Sequence, residues 1–138
     1  MAVAKDCVFC QVIDGAGATT IVDEPEVVAF LDTSPVFKGH VLVLPRAHHE
    51  TLVDVPADLL GPLFSTVQRI QVAVMRAVEA KGTFVAMNNV VSQSVPHLHV
   101  HVVPRTKGDG LKGFFWPRVK YADAAELEEY AARVRAAL

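Results

Sequence analysis

Six histidines in a chain of 138 residues fall in three places: His40, the pair His48 and His49, and the run His97-Leu98-His99-Val100-His101. If the run is a strand, side chains two apart share a face, so His97, His99 and His101 point one way and Leu98, Val100 and Val102 the other. Three adjacent imidazoles gain little for stability, and protonating more than one would cost repulsion. A row of solvated rings on an open sheet face is the plain structural reading. Chemistry offers two others. H-x-H on a strand can place two imidazoles on one zinc ion. Alternatively, an imidazole of pKa ~6.5 is largely neutral at pH 7 and can attack an electrophilic phosphorus. Its neighbours then hydrogen-bond the phosphoryl oxygens and protonate the leaving group. Asn88, Ser92, Gln93 and Ser94 precede the run. These neutral groups suit phosphate oxygens and are poor zinc ligands, which favours the nucleophile.

The two cysteines sit together as Cys7-Val8-Phe9-Cys10. A disulfide does not suit a reducing compartment. A thioredoxin-like redox site needs a strand ahead of the motif, and six residues precede Cys7. The pair reads either as half of a zinc site that wants two further ligands, with His48 or His49 as a candidate, or as two small buried thiols.

These residues need a scaffold. A short apolar turn around 9–13 reads as helical, and Thr19–Asp23 with Val27–Leu31 as a hairpin. His40–Leu44 is a nearly continuous apolar strand, buried on both faces, that stops at Pro45. From Ala57 to Lys81 the period becomes helical, with Leu60, Leu63, Phe64, Val67, Ile70, Val74 and Val78 on one stripe and Gly82 as the stop. Thr83–Asn88 and His97–Val103 follow as strands joined by a polar loop, the second bracketed by Pro96 and Pro104. Asp123 and Glu126 suggest a capping box that opens a last amphipathic helix. The expectation is an α+β domain with a mainly antiparallel sheet, a long central helix and a C-terminal helix. Apolar residues make up 51% and charged residues 20%, an ordinary globular balance in a length that suits one domain over 1–138. A net charge of −2 offers no basic excess for nucleic acid, and no apolar stretch reaches the ~20 residues of a membrane span. The N-terminus lacks the order of a signal peptide, so a soluble, cytoplasmic protein is expected. Arg105 and Lys107 read first as solvated strand ends, Gly108-Asp109-Gly110 as a flexible turn, and Phe114, Phe115 and Trp116 as core or subunit contact.

Ser94-Val-Pro-His97-Leu-His99-Val-His101-Val-Val103 resembles the histidine-triad (HIT) motif, H-φ-H-φ-H-φ-φ with φ apolar. Phe30-Leu-Asp32-Thr-Ser-Pro35 and Gly39-His40-Val-Leu-Val-Leu-Pro45 resemble the nucleotide-binding half of that domain. The similarity covers about 7–105, leaving 106–138 as a C-terminal segment. It implies a nucleotidyl hydrolase or transferase in which His99 is transiently nucleotidylated at the α-phosphate, with His101 and His40 polarising the phosphate. Asp32 would accept the ribose hydroxyls, and Asn88, Gln93 and Ser94 would contact phosphate or leaving group. The chain departs from the family in having Ser92 where glycine is common and in a loop about two residues shorter. The resemblance further implies structural zinc on Cys7, Cys10, His48 and His97, and a homodimer paired through the long helix and the strand after the polar loop. The alternative is a nucleotide-binding regulatory or scaffold protein without turnover. A zinc hydrolase at the triad would instead require metal at His99.

Overall fold

Five runs of β-branched and apolar residues form strands, described in a computed structural model that covers residues 5–15, 19–111 and 118–138. They are β1 (Thr20–Asp23), β2 (Val27–Leu31), β3 (Val41–Pro45), β4 (Gly82–Ala86) and β5 (Val100–Arg105). All pair antiparallel, in the order β1-β2-β3-β5-β4. Three α-helices accompany them: α1 (Val8–Ile13), α2 (Ala57–Ala77) and α3 (Ala124–Ala137). The α+β expectation holds, element for element. Among the described residues no helix is long and apolar enough to cross a membrane. Phe114, Phe115 and Trp116 lie outside the described residues.

β3 is buried at every position, and its alternation splits the interior into two layers. Val41 and Val43 join Leu98, Val100 and Val102 against Leu63, Val67, Ile70 and Val74 of α2. Leu42 and Leu44 face the other way, with Val28 and Phe30, against Cys7, Phe9 and Cys10. Among the described residues, the sheet is therefore covered by the long helix α2 on one side and by the short helix α1 on the other.

Several boundaries differ from the sequence reading. Helix α2 ends at Ala77, and Glu79, at φ 55°, takes the left-handed conformation that closes a helix. Gly82 is instead the first residue of β4, opposite Arg105. Phe64 and Val78 point outward, while Thr66 is buried and gives its hydroxyl to the Pro62 carbonyl at 2.8 Å. Pro104 lies inside β5 because the ladder continues to Arg105. β5 runs between β3 and β4, so it cannot be the strand through which two sheets would join; β4 holds that edge. The Asp123 carboxylate does cap α3, accepting the Glu126 amide at 2.8 Å. No residue of α3 is buried, and Leu127, Tyr130 and Val134 face outward.

Candidate active site and metal group

The ladder of β5 starts at Val100, so His97 and His99 precede it, in contrast to the strand expected from His97 onward. Backbone bonds from His97 to the Val95 carbonyl (2.8 Å) and from Leu98 to the His49 carbonyl (2.7 Å) guide the chain into the ladder. The alternation survives: Leu98, Val100 and Val102 enter the α2 layer, and the histidines turn to the α1 side. That side is not open. His97 is 0% and His99 5% exposed, which removes the reading of a solvated row. The cover is Phe9 of α1, whose ring stands edge to face on His99 with centroids 4.9 Å apart.

Backbone groups fix which ring nitrogen carries the proton. A carbonyl can only accept, so the 2.7 Å contact of His99 Nδ1 with the His97 carbonyl places the proton on Nδ1. In the neutral ring the lone pair of His99 is then on Nε2. His40 Nδ1 accepts the Val36 amide at 3.1 Å, which puts the His40 proton on Nε2. That proton is donated to His101 Nδ1 at 2.9 Å, and the His101 proton is left on Nε2. Burial is the main cause lowering the His40 pKa, against the pull of Asp32, whose Oδ2 lies 3.7 Å from Nδ1. Burial also lowers His101, to about 4, helped by His99 and His40. Two neutral rings thus stand in series behind His99.

His97 belongs to a second constellation. Its Nε2 donates to the Pro45 carbonyl at 2.8 Å, so the Nδ1 lone pair faces Cys7 Sγ at 3.6 Å and Cys10 Sγ at 3.5 Å. His48 Nδ1 lies 3.4 Å from Cys10 Sγ. Burial, above all, lowers the His97 pKa to about 4, keeping the ring in the neutral form that a metal needs. The four ligand atoms all lie within 4.8 Å of one another. Ligands about 2.0–2.3 Å from a tetrahedral ion stand roughly 3.5 Å apart, so two thiols and two imidazoles in this arrangement fit zinc. The group could hold a metal. It contains His48; His49 instead gives its carbonyl to Leu98.

A cleft of about 430 Å³ opens on the α1 side, and it is graded in character. Val8, Phe9, Val12, Phe30, Leu42 and Val95 line an apolar part; Asp32, Thr33, Ser94, His99 and His101 supply the polar part. His40 stands behind His101. Asn88 and Gln93 do not line the cleft. Asn88 Nδ2 donates to the Ser92 carbonyl at 3.2 Å, and Gln93 bridges the Val90 amide (3.0 Å) and the Glu50 carbonyl (2.6 Å). Both brace the loop that presents Ser94, where Val90 (φ 69°) and Ser92 (φ 61°) are left-handed. Arg105 is engaged by Asp109 at 2.7 Å and by the Leu111 carbonyl at 2.9 Å, an ordered turn in place of a flexible one. The sequence reading passed over Phe9, the Val36 amide and the Pro45 carbonyl. Only Phe9 left a signal, as the aromatic residue between the cysteines.

Comparisons with known proteins agree with this geometry. The HIT domain matches residues 15–108. An uncharacterized HIT-like protein of Methanocaldococcus jannaschii is 39% identical over 107 residues, 75% of this chain and 82% of that one. The adenosine 5′-monophosphoramidase of Candida albicans is 28% identical over 124 residues, 85% of this chain and 82% of that one. The crystal structure of a HIT family member from Bacillus subtilis superposes with a TM-score of 0.88 at 31% identity, covering 97% of this chain and 98% of that one. A zinc-bound histidine triad family protein of Mycobacterium smegmatis does so at 0.73 and 31% identity, covering 96% and 98%.

The depressed pKa of His101 has a measurable consequence. Its folded value of about 4 lies below the ordinary 6.5 of an unfolded chain, so between those pH values the unfolded state binds more protons. The stability due to this site is whole above pH ~6.5 and is lost as pH falls through ~4. Thermal unfolding of His101→Gln should therefore show a shallower loss of Tm than wild type between those limits. Parallel curves for the two proteins would show that His101 is not buried as a neutral ring.

Proposed function

The chain belongs to the HIT domain family, and from that premise we propose that it is a nucleotidyl hydrolase or transferase acting through a covalent nucleotidyl-histidine at His99. The substrate class is a nucleoside 5′-phosphate, with adenosine as the first choice of nucleoside, joined to an amine or a phosphate. The observation that carries this reading is the bond from His99 Nδ1 to the His97 carbonyl, which fixes a proton on Nδ1 and makes Nε2 the nitrogen through which the neutral ring can attack, beside the cleft.

The cleft suggests how such a substrate lies. A base packs in the apolar part between Val8, Phe9, Val12 and Phe30, and the ribose hydroxyls reach Asp32. The α-phosphorus then comes to His99. Nε2 attacks it, the P–N bond forms, and the bond to the leaving group breaks. The ring becomes cationic as it does so, and the short contact of Nδ1–H with the His97 carbonyl stabilises the new charge. His101 offers Nε2–H to a phosphoryl oxygen, and His40 fixes that orientation from behind. Ser94 serves the phosphate or the departing group as a hydroxyl donor. Asn88 and Gln93, outside the cleft lining, act through the loop they brace, which presents Ser94. Water then attacks the same phosphorus, a P–O bond forms as the P–Nε2 bond breaks, the water gives up a proton, and the nucleoside monophosphate leaves with the electron pair returned to His99.

Zinc on Cys7, Cys10, His48 and His97 supplies a cross-link and no chemistry, because four protein ligands leave no open position. It joins α1, the turn after β3 and the approach to β5. We place the protein in solution as a homodimer. The edge of β4 and the outward apolar residues of α3 support that assembly.

Replacing His99 by Ala, Asn or Gly should abolish turnover of an adenosine phosphoramidate while AMP still binds, because the attack needs an imidazole nitrogen and binding does not. Residual turnover within about tenfold of wild type would contradict a nucleophile, whose loss costs several kcal/mol of transition-state stabilisation. Protein purified without chelator should carry about one zinc per chain. Cys7→Ser should lower both zinc content and Tm; full zinc in that variant would return the cysteines to the role of core residues.

A further inference from the structure

Helix α1 serves two sites at once. Cys7, its N-cap, and Cys10 belong to the metal group, while Val8, Phe9, Gln11 and Val12 line the cleft. Phe9 sits between the two cysteines and is itself 9% exposed. Its ring meets three aromatic neighbours edge-on: His99 at 4.9 Å, Phe30 at 5.5 Å and His97 at 6.2 Å between centroids. One side chain thus touches the nucleophile, a metal-group histidine and the wall of the base pocket.

The stability of α1 makes this arrangement consequential. Six residues are far too few for a helix to persist alone in water. What fixes α1 is its packing through Cys7, Phe9 and Cys10 on Val28, Phe30, Leu42 and Leu44. A metal held by Cys7, Cys10, His48 and His97 adds a second attachment, and it does so on the residues that flank Phe9. Whatever freedom the metal removes from α1, a nucleotide packing on Val8, Phe9 and Val12 no longer has to remove.

We propose that metal occupancy sets nucleotide affinity through α1, with Phe9 as the positioning residue that couples the Cys7–Cys10–His48–His97 group to His99 and the cleft wall. The proposal rests on the nucleotide reading above. Because linkage is reciprocal, nucleotide must hold the metal as firmly as metal holds the nucleotide. A metal site that served folding alone would raise stability without any such exchange.

The test uses AMP and zinc on the whole chain. Calorimetric titration of AMP into zinc-loaded protein, and into chelator-stripped protein that circular dichroism shows to be folded, should differ by about fivefold or more in Kd. Zinc release from the loaded protein to a chromogenic chelator needs no stripped form, and saturating AMP should slow it by a similar factor. In Phe9→Ala both ratios should shrink toward one while zinc content stays at the wild-type level. A merely structural Phe9 would lower Tm and weaken both ligands but leave the ratios unchanged. Equal AMP affinity with and without zinc, or zinc release indifferent to AMP, overturns the coupling and leaves the nucleotide reading intact. AMP that binds neither form overturns both.

Discussion

His97 is fully buried, and a buried imidazole must satisfy two ring nitrogens without water. One is settled by the Pro45 carbonyl at the end of β3. The other faces two sulfur atoms that only α1 can bring there. The backbone carbonyl of the same residue then takes the Nδ1 proton of His99. A single position therefore sets the Nδ1 proton of His99, orients the candidate metal group and ties the central strand to the N-terminal helix. The fixed direction of each bond leaves little freedom: a carbonyl accepts, so each ring has one assignment of its proton.

The sheet makes this possible by being asymmetric. On the α2 side apolar side chains close-pack in the ordinary way. On the other side the cover among the described residues is the short helix α1, with a cleft between it and the strands, and His99 and His101 line that cleft. Burial on that side lowers the pKa values of His97, His101 and His40, and a neutral ring is what metal ligation at His97 requires. The same low polarity that creates the cost of placing histidines there gives them their use.

Much of this was legible in the residues. The change of period at Ala57 announced α2, and the alternation of apolar and histidine positions from His97 assigned both faces correctly even though the ladder begins only at Val100. Cys7, Cys10, His48 and His97 converge as the motif resemblance implied. Of His48 and His49, it is His48 that stands in the group, its Nδ1 3.4 Å from Cys10 Sγ, a placement that composition does not encode. Glu79 escaped notice because left-handed helix ends favour glycine, and Gly82 stood nearby as the more natural candidate. Asn88 and Gln93 read as phosphate donors because an amide suits either task; only the fold shows their bonds to the loop backbone. The Val36 amide and the Pro45 and His97 carbonyls carry no sequence signal at all, since every residue has a carbonyl and every residue but proline an amide N–H.

In the proposed chemistry one atom, Nε2 of His99, is the site of bond formation. Rapid mixing with an adenosine phosphoramidate, a quench into base to preserve the acid-labile P–N bond, and peptide mass analysis would locate it. An adenylyl group on the peptide bearing His97, His99 and His101, mapped to His99 and absent from His99→Asn, is the predicted result. Adenylylation mapped to His101 or His97, or rapid turnover with no covalent adduct on any histidine, would contradict it.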